Sequence, residues 1–173
     1  MNGVLSLDDA SFDGKHVLFR VDINSPLHPE TQEFLDDGRL RAITETLSDL
    51  SNSKVVIIGH QSRPGRADFT DLSGHSRILS KILDHPVKFI SDVCGKDAIS
   101  AIRSMSDGEI ICLDNVRMHP DEISLKKADL DQLRDSAFVR TLAPEFDAYV
   151  TDAFAAAHRS TPSLCGFSEV LPC

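Results

Sequence analysis

The 173 residues are enough for one domain with a hydrophobic core and leave little room for a second. Asp and Glu (27) outnumber Lys and Arg (18), so an unselective basic surface for binding nucleic acid is not expected. No apolar run approaches the roughly 20 residues that a membrane-spanning helix needs.

Five short apolar runs predict β-strands, and helix-like segments separate them. The runs are residues 17–19, 55–58, 87–90, 110–113 and 148–150. Nearly continuous apolar strands that alternate with helices are typical of a parallel sheet covered on both faces. The sequence therefore predicts an α/β fold, as a three-layer α/β/α Rossmann-like domain with a mostly parallel sheet.

The segments between these runs show helical spacing. A first helix is indicated by apolar residues three and four positions apart, namely Leu40, Ile43, Leu47 and Leu50. Asp36 and Asp37 precede this set and are predicted to cap the helix. Similar sets predict helices near residues 78–83, near 98–105 and over 130–142. Residues 60–73 and the charged segment 120–131 are predicted to be loops.

The cysteines and the N-terminal residues indicate where the protein is found. Cys94, Cys112, Cys165 and Cys173 lack the spacing of a zinc site or a CxxC motif, so we predict reduced, structural thiols. Residues 1–13 lack the basic patch and the long apolar stretch of a signal peptide. These features predict a cytoplasmic protein.

The sequence contains none of the common local motifs for nucleotide binding or catalysis. It has no GxxxxGK[ST], no GxGxxG between a strand and a helix, no GxSxG and no HExxH. The scattered carboxylates also lack the spacing of metal ligands. We therefore predict no metal or nucleotide site within the chain.

Clusters of arginine, histidine and small polar residues follow four of the predicted strands. They read DIN at residues 22–24, HQSRP at 60–64, DNVRMH at 114–119 and TDAFAAAHR at 151–159. The carboxyl ends of parallel strands share one edge of a sheet, where α/β proteins usually bind ligands. Arg63, Arg117 and Arg159 should converge there, and guanidinium groups donate paired hydrogen bonds to phosphate or carboxylate. The pattern predicts a site for a small, multiply charged anion.

Other polar residues have both a functional and a structural interpretation. His60 and His119 could act as general bases, or could orient a loop or donate a hydrogen bond. Asp22 and Asn24 could bind a substrate hydroxyl, although Asp22 could instead cap the loop after the first strand. Four arginines lie within strand or helix patterns, and most should be solvated surface charges. They are Arg20, Arg41, Arg77 and Arg103.

Taken in order, these motifs resemble those of the N-terminal domain of the phosphoglycerate kinase family. The family pattern VDFNVP reads VDINSP at residues 21–26, and DxxRI reads DDGRL at 36–40. HLGRP reads HQSRP, ENLRFH reads DNVRMH, and NDAFGTAHR reads TDAFAAAHR. The resemblance covers nearly the whole chain.

The resemblance implies a glycolytic and gluconeogenic kinase that transfers a phosphoryl group between ATP and the carboxylate of 3-phosphoglycerate. Residues 1–173 would form its N-terminal domain, with 3-phosphoglycerate or 1,3-bisphosphoglycerate as ligand. Mg-ATP or Mg-ADP would be bound by a C-terminal domain, absent from this chain, that closes on it about a hinge. Leu171-Pro172 falls where the family's LPAVAG segment leads into that domain, so the chain alone is expected to be inactive. No nucleic-acid or membrane partner is expected.

The resemblance also implies roles for individual residues. Those that would hold the substrate phosphate are Arg63, Arg117 and Arg159. Those that would contact the hydroxyl and carboxylate end are Asp22, Asn24 and His60. Arg39 would be the catalytic residue, because it would face the reacting carboxylate and the transferred phosphoryl group.

Some positions depart from the family pattern, and two other functional classes remain open. Gln61-Ser62 replaces Leu-Gly, which could change the backbone freedom of the loop that carries Arg63. Ala155 replaces a glycine that the family brings close to the ligand, so the pocket could be tighter. One alternative function is a stand-alone anion-binding or regulatory module without catalysis. The other is a Rossmann-like oxidoreductase domain, against which the missing glycine motif argues.

Overall fold

Five parallel strands form the centre of the computed structural model, which describes residues 7–173. The strands are β1 (His16–Val21), β2 (Lys54–Ile58), β3 (Val87–Ile90), β4 (Ile110–Leu113) and β5 (Ala148–Asp152). Their order across the sheet is β3-β4-β2-β1-β5, and every pairing is parallel. Each of the five apolar runs lies within one of these strands, so the strand predictions are confirmed.

Both faces of the sheet are apolar, as a parallel sheet between two helical layers requires. Successive side chains of a strand point to opposite faces, so Leu18 of β1 packs in one core while Val17 and Phe19 pack in the other. The Leu18 core also contains Ile102 and Phe138 from helices on its side of the sheet. The predicted three-layer α/β/α architecture is confirmed.

Within the described residues, seven α-helices connect the strands or extend their connections. They are α1 (Gly38–Ala42), α2 (Thr44–Asp49), α3 (Ser73–Leu83), α4 (Lys96–Arg103), α5 (Pro120–Ser124), α6 (Leu130–Arg134) and α7 (Ala137–Leu142). Helices α3 and α4 confirm the second and third helix predictions. The loop predicted before α3 is also confirmed up to residue 72.

The first predicted helix is divided into α1 and α2. The division falls at Ile43, whose carbonyl accepts the N–H of Leu47 and begins the second helix. The Thr44 hydroxyl donates to the carbonyl of Arg41 at 2.8 Å, a local bond that competes with continued helix. The predicted capping is only partly correct: Asp36 accepts the N–H of Gly38 at 2.9 Å, whereas the Asp37 carboxylate pairs with Arg41.

Residues 120–142 differ most from the sequence predictions. The single helix predicted over 130–142 is divided into α6 and α7, because the Ser136 hydroxyl accepts the N–H of Val139 and caps a new helix. The loop predicted over 120–131 is wrong at residues 120–124, which form α5, and at 130–131, which begin α6; residues 125–129 lie outside helices. Pro120 is the first residue of α5, and the His119 ring accepts the N–H of Asp121 at 3.2 Å.

The structure also bears on the thiols and the chain ends. All four cysteines are free, with Cys112 buried and Cys173 exposed. The signal-peptide prediction concerns residues 1–13, of which 1–6 lie outside the described residues. Within residues 7–173, no helix combines the length and the apolar character needed to cross a membrane.

Phenylalanines in buried and exposed positions give a matched test of the core. Phe138 is fully buried between α7 and the sheet, whereas Phe154 is 91% exposed. Truncating a buried phenylalanine loses apolar contacts and leaves a cavity, so Phe138→Ala should lower the free energy of unfolding by about 3–5 kcal/mol. Phe154→Ala should change it by no more than about 0.5 kcal/mol. Urea denaturation of both variants is the measurement, and equal losses would contradict the core assignment.

Candidate anion-binding site

The loops that follow four of the strands line one cleft of about 1130 Å³. Asn24 follows β1, Ser62 and Arg63 follow β2, Arg117 follows β4, and Arg159 follows β5. These are the carboxyl ends of parallel strands, so they lie at the same edge of the sheet. The predicted convergence of the three arginines is therefore present in the structure.

The cleft carries more positive charge than the sequence analysis assigned to it. Its basic lining residues are Arg63, Arg66, Arg117, Lys126, Lys127, His158 and Arg159. Arg66, Lys126 and Lys127 were not among the predicted site residues, although Arg66 lies only three residues after Arg63. Within residues 7–173, the side chains of Arg63 and Arg159 form no hydrogen bond or ion pair.

Arg117 is more constrained than these two, and it joins two of the loops. Its guanidinium donates to the carbonyl of Ser62, and its backbone N–H donates to the Asn115 side chain at 3.1 Å. The buried Asn115 amide in turn donates to the carbonyls of Gln61 and Thr70, both at 2.8 Å. Burial and the positive charge of Arg159 lower the pKa of Arg117. Side chains of the loop after β4 therefore fix the backbone of the loop after β2.

Ser62 occupies a backbone conformation that usually favours glycine. Its φ is 53°, in the left-handed region, where a side chain adds strain of about 1–2 kcal/mol. Its hydroxyl donates to Asp68 at 2.6 Å, and its N–H donates to the Asn24 side chain at 2.7 Å. These bonds position the backbone next to Arg63 although no glycine is present.

Gln61 is fully buried, and it links the loops after β1 and β2. Its amide donates to the carbonyl of Ser25 at 2.9 Å and accepts the N–H of Ser25 at 3.0 Å, which fixes the orientation of the amide. The same Gln61 oxygen lies 3.0 Å from Nε2 of His75, so that nitrogen is the donor. Burial lowers the pKa of His75 to about 4.

Asp22, Arg39 and His60 lie beside the cleft and are not part of its lining. Arg39 is on α1 and forms an ion pair with Asp22, the first residue after β1. The Arg39 side chain is 44% exposed, whereas that of Asp22 is 12% exposed. The positive charge of Arg39 contributes to lowering the pKa of His60, so the pair lies near that ring.

Arg20 is buried, which corrects the expectation of a solvated surface charge. It is only 1% exposed, and its guanidinium donates to Nδ1 of His60 at 2.9 Å. Burial, followed by the charges of Arg20, Arg117 and Arg159, lowers the pKa of His60 to about 2. A ring with so low a pKa is a poor general base, so the structure favours the hydrogen-bonding interpretation of His60.

Three other polar residues of the predicted clusters, His119, Asp114 and Asp152, have structural roles. His119 caps α5 and does not line the cleft. The buried Asp114 carboxylate accepts the backbone N–H groups of Leu72 and Asn115, and burial raises its pKa. Asp152 accepts a hydrogen bond from the hydroxyl of Thr46 at 3.2 Å.

Comparison with known proteins assigns the family. The family model described as phosphoglycerate kinase matches residues 7–173. The chain belongs to the phosphoglycerate kinase family. Phosphoglycerate kinase of Methanothermus fervidus is 48% identical over 169 residues, and that of Thermoplasma acidophilum is 44% identical over 164 residues. The alignments cover 96% and 94% of this chain but only 41% and 40% of those relatives.

Solved structures support the same assignment. The crystal structure of phosphoglycerate kinase from Pyrococcus horikoshii matches with a TM-score of 0.93 at 36% identity, over 98% of this chain and 41% of that one. The enzyme from Coxiella burnetii matches with a TM-score of 0.72 at 26% identity, over 96% of this chain and 40% of that one. The chain thus spans about two fifths of the length of these relatives, and family membership argues against an oxidoreductase domain.

The buried state of His75 predicts a loss of stability in acid. Its pKa is about 4 in the folded protein and about 6.5 when unfolded, so the unfolded state binds the extra proton as the pH falls through this range. The contribution of this ring to the free energy of unfolding is therefore fully present above pH 6.5 and is lost as the pH falls through 4. Between pH 7 and pH 4 this group should lower the free energy of unfolding by on the order of 3 kcal/mol.

The matched variant is His75→Gln, which can still donate to Gln61 but does not titrate. Denaturant titrations at pH 7 and pH 4 should show a smaller acid-induced loss for the variant than for the unmodified chain. Equal losses in the two proteins would contradict the assignment.

Proposed function

We propose that this chain is the 3-phosphoglycerate-binding part of a phosphoglycerate kinase. The enzyme would transfer a phosphoryl group between ATP and the carboxylate of 3-phosphoglycerate, with 1,3-bisphosphoglycerate as the other form of the ligand. The observation that carries this proposal is the convergence of Arg63, Arg117 and Arg159 on one cleft. Family membership supplies the reaction type, and the cleft supplies groups suited to the substrate.

The three arginines would bind the phosphate of the substrate. A guanidinium presents parallel N–H donors to phosphate oxygens and remains charged at any physiological pH. Arg63 and Arg159 form no ion pair with residues 7–173, so their donors are not occupied by those parts of the chain. Arg117, held by Ser62, would provide a more rigid contact between them.

The other end of the substrate would meet polar groups of the loops after β1 and β2. Asn24 uses its side-chain oxygen to accept from Ser62, which leaves the amide N–H₂ as a donor for a substrate oxygen. Asp22 can accept from the substrate hydroxyl while it remains paired with Arg39. His60 would donate a hydrogen bond as a neutral ring.

Arg39 would act on the reaction itself. The substrate carboxylate is already a nucleophile, so no strong general base is required. Phosphoryl transfer depends chiefly on positioning and on stabilising the negative charge of the transferred group. Arg39 is half exposed and is anchored by Asp22, so its guanidinium could reach toward a ligand in the neighbouring cleft.

We propose that the magnesium nucleotide is bound outside this chain. The support for this is that the chain spans only about two fifths of the length of its relatives, which leaves room in them for a further domain. Mg-ATP or Mg-ADP would instead be held by a C-terminal domain, the partner of this one, and catalysis would require both parts. As a glycolytic and gluconeogenic enzyme, the whole protein would be cytoplasmic.

Removing any one of the cleft arginines should weaken substrate binding. Hydrogen bonds to a charged group contribute about 1.5–3 kcal/mol, so each of Arg63→Ala, Arg117→Ala and Arg159→Ala should cost about tenfold or more in affinity. Isothermal calorimetry with 3-phosphoglycerate measures the effect. Arg103→Ala is the control, because Arg103 is exposed and pairs with Glu145 away from the cleft. Unchanged affinity in all three cleft variants would rule out this site.

Arg39 should affect catalysis more than binding in the longer protein that contains both parts. If its charge stabilises the transferred group, Arg39→Ala should lower kcat by about a hundredfold or more, with a smaller change in the Kd of 3-phosphoglycerate. Arg39→Lys should recover only part of the loss, because an ammonium lacks the planar fork.

The matched control for Arg39 is Arg41→Ala on the same helix. Arg41 is exposed and pairs with Asp37. Steady-state kinetics and direct binding should be measured together. A near-normal kcat for Arg39→Ala would mean that this residue only braces the start of α1.

A further inference from the structure

The buried Arg20 side chain forms a hydrogen bond with the His60 ring. Nη2 of Arg20 lies 2.9 Å from Nδ1 of His60. A guanidinium can donate hydrogen bonds but cannot accept them, so Nδ1 must be the acceptor in this pair. A proton on Nδ1 would place two donors face to face. The neutral ring therefore carries its one proton on Nε2.

The other two nitrogens of the Arg20 guanidinium also donate hydrogen bonds, so the group has little freedom to move. Nε donates to the hydroxyl of Ser163 at 3.1 Å, and Nη1 donates to the carbonyl of Val21. The Ser163 hydroxyl then donates to the Glu122 carboxylate at 2.7 Å. Arg20 thus receives support from its own strand and from a segment 143 residues away along the chain.

Glu122 provides the negative charge that a buried guanidinium needs. It is 5% exposed, and it accepts the Thr161 hydroxyl at 2.7 Å and the Ser163 N–H at 2.9 Å. Its charge acts on Arg20 through space and raises the pKa of that group, in opposition to the larger lowering by burial. One serine hydroxyl therefore connects the carboxylate to the arginine that holds His60.

The opposite nitrogen of His60 is left for a ligand. Nε2 forms no hydrogen bond with residues 7–173. Two side-chain atoms of residues 7–173 are fully enclosed and lack a hydrogen-bond partner, namely Gln32 Oε1 and His75 Nδ1. Nε2 of His60 is not one of them, so it retains some access to solvent. The charges of Arg117, Arg159 and Arg39 act on the ring together with that of Arg20. These charges attract an anion to the surroundings of the ring, where Nε2 is the nitrogen without a hydrogen-bond partner in residues 7–173.

We propose that Arg20 is a positioning residue that locks His60 as the neutral Nε2–H tautomer, so that the ring presents a donor to an anionic substrate. The other tautomer would present a lone pair to the same oxygen and would repel it. The Arg20 guanidinium is held in this position by its hydrogen bond to Ser163, which in turn donates to Glu122. The benefit to the substrate rests on the proposed function, whereas the tautomer itself is independent of any ligand.

The first test is nitrogen-15 NMR of the ring of His60 in the unmodified chain without ligand, assigned by comparison with His60→Gln. We expect an unprotonated, pyridine-like signal for Nδ1 and a protonated, pyrrole-like signal for Nε2 at neutral pH. A protonated Nδ1 would overturn the proposal. This measurement does not depend on 3-phosphoglycerate, so its outcome is separate from that of the proposed function.

The second test compares variants of the lock with a matched control. Arg20→Met removes the donors, and Ser163→Ala removes the link to Glu122 with little change in volume. Both should shift the His60 ring signals toward a mixture of tautomers, the second more weakly. The control Arg103→Met changes an exposed arginine and should leave the signals unchanged. Unchanged His60 signals in both Arg20→Met and Ser163→Ala would overturn the proposal.

Calorimetric titration of the same proteins with 3-phosphoglycerate then measures the consequence for binding. Arg20→Met should weaken binding about tenfold, the effect of one hydrogen bond to a charged group. Arg20→Lys should recover part of this, because an ammonium can still donate to Nδ1. Failure of the unmodified chain to bind would contradict the proposed function and leave the tautomer result in place. Normal binding by Arg20→Met despite altered ring signals would overturn the role of Arg20 in substrate positioning.

Discussion

The concentration of positive charge at one edge of the sheet is the constraint on which the rest of this structure depends. Parallel strands bring their carboxyl ends together, so the arginines of three loops lie close enough to repel one another. Burial is the main cause of the lowered pKa values of Arg117 and His60, and the charges of the neighbouring arginines lower them further. A site of this kind binds anions well because, without a ligand, its positive charges are incompletely neutralised.

Neutral hydrogen bonds hold the loops in place against this repulsion. Gln61 joins the backbone of Ser25 to the loop after β2, and Asn115 joins that loop to the end of β4. Because both amides are buried and fully bonded, they fix the geometry without neutralising the arginines. Among the carboxylates that approach the site, Asp22 pairs with Arg39, whereas Asp68 and Glu122 accept hydrogen bonds from hydroxyl groups. The cleft therefore keeps a positive field inside a protein of net charge −9, and such local contrast attracts small anions.

The chain's departures from the family pattern alter local structure while the site remains assembled. Ser62 takes a left-handed conformation that glycine would adopt more easily, and its bonds to Asp68 and Asn24 offset the strain. Gln61 takes the position of a family leucine and adds a polar link to His75. Both changes lie in the loop that carries Arg63, so they affect where its guanidinium can meet an anion.

The sequence by itself determined the five strands, the parallel α/β architecture and three of the cleft arginines, namely Arg63, Arg117 and Arg159. Apolar periodicity is a local property, and residues that directly follow a parallel strand must lie at its carboxyl edge. Local signals were insufficient at Thr44 and Ser136, where one side-chain hydrogen bond divides a continuous apolar pattern into two helices. Only the tertiary structure decided that Arg20 is buried, since its partners His60 and Ser163 are 40 and 143 residues away. No pattern within a strand reveals that a distant hydroxyl and ring will satisfy a guanidinium, because that depends on how the whole chain packs.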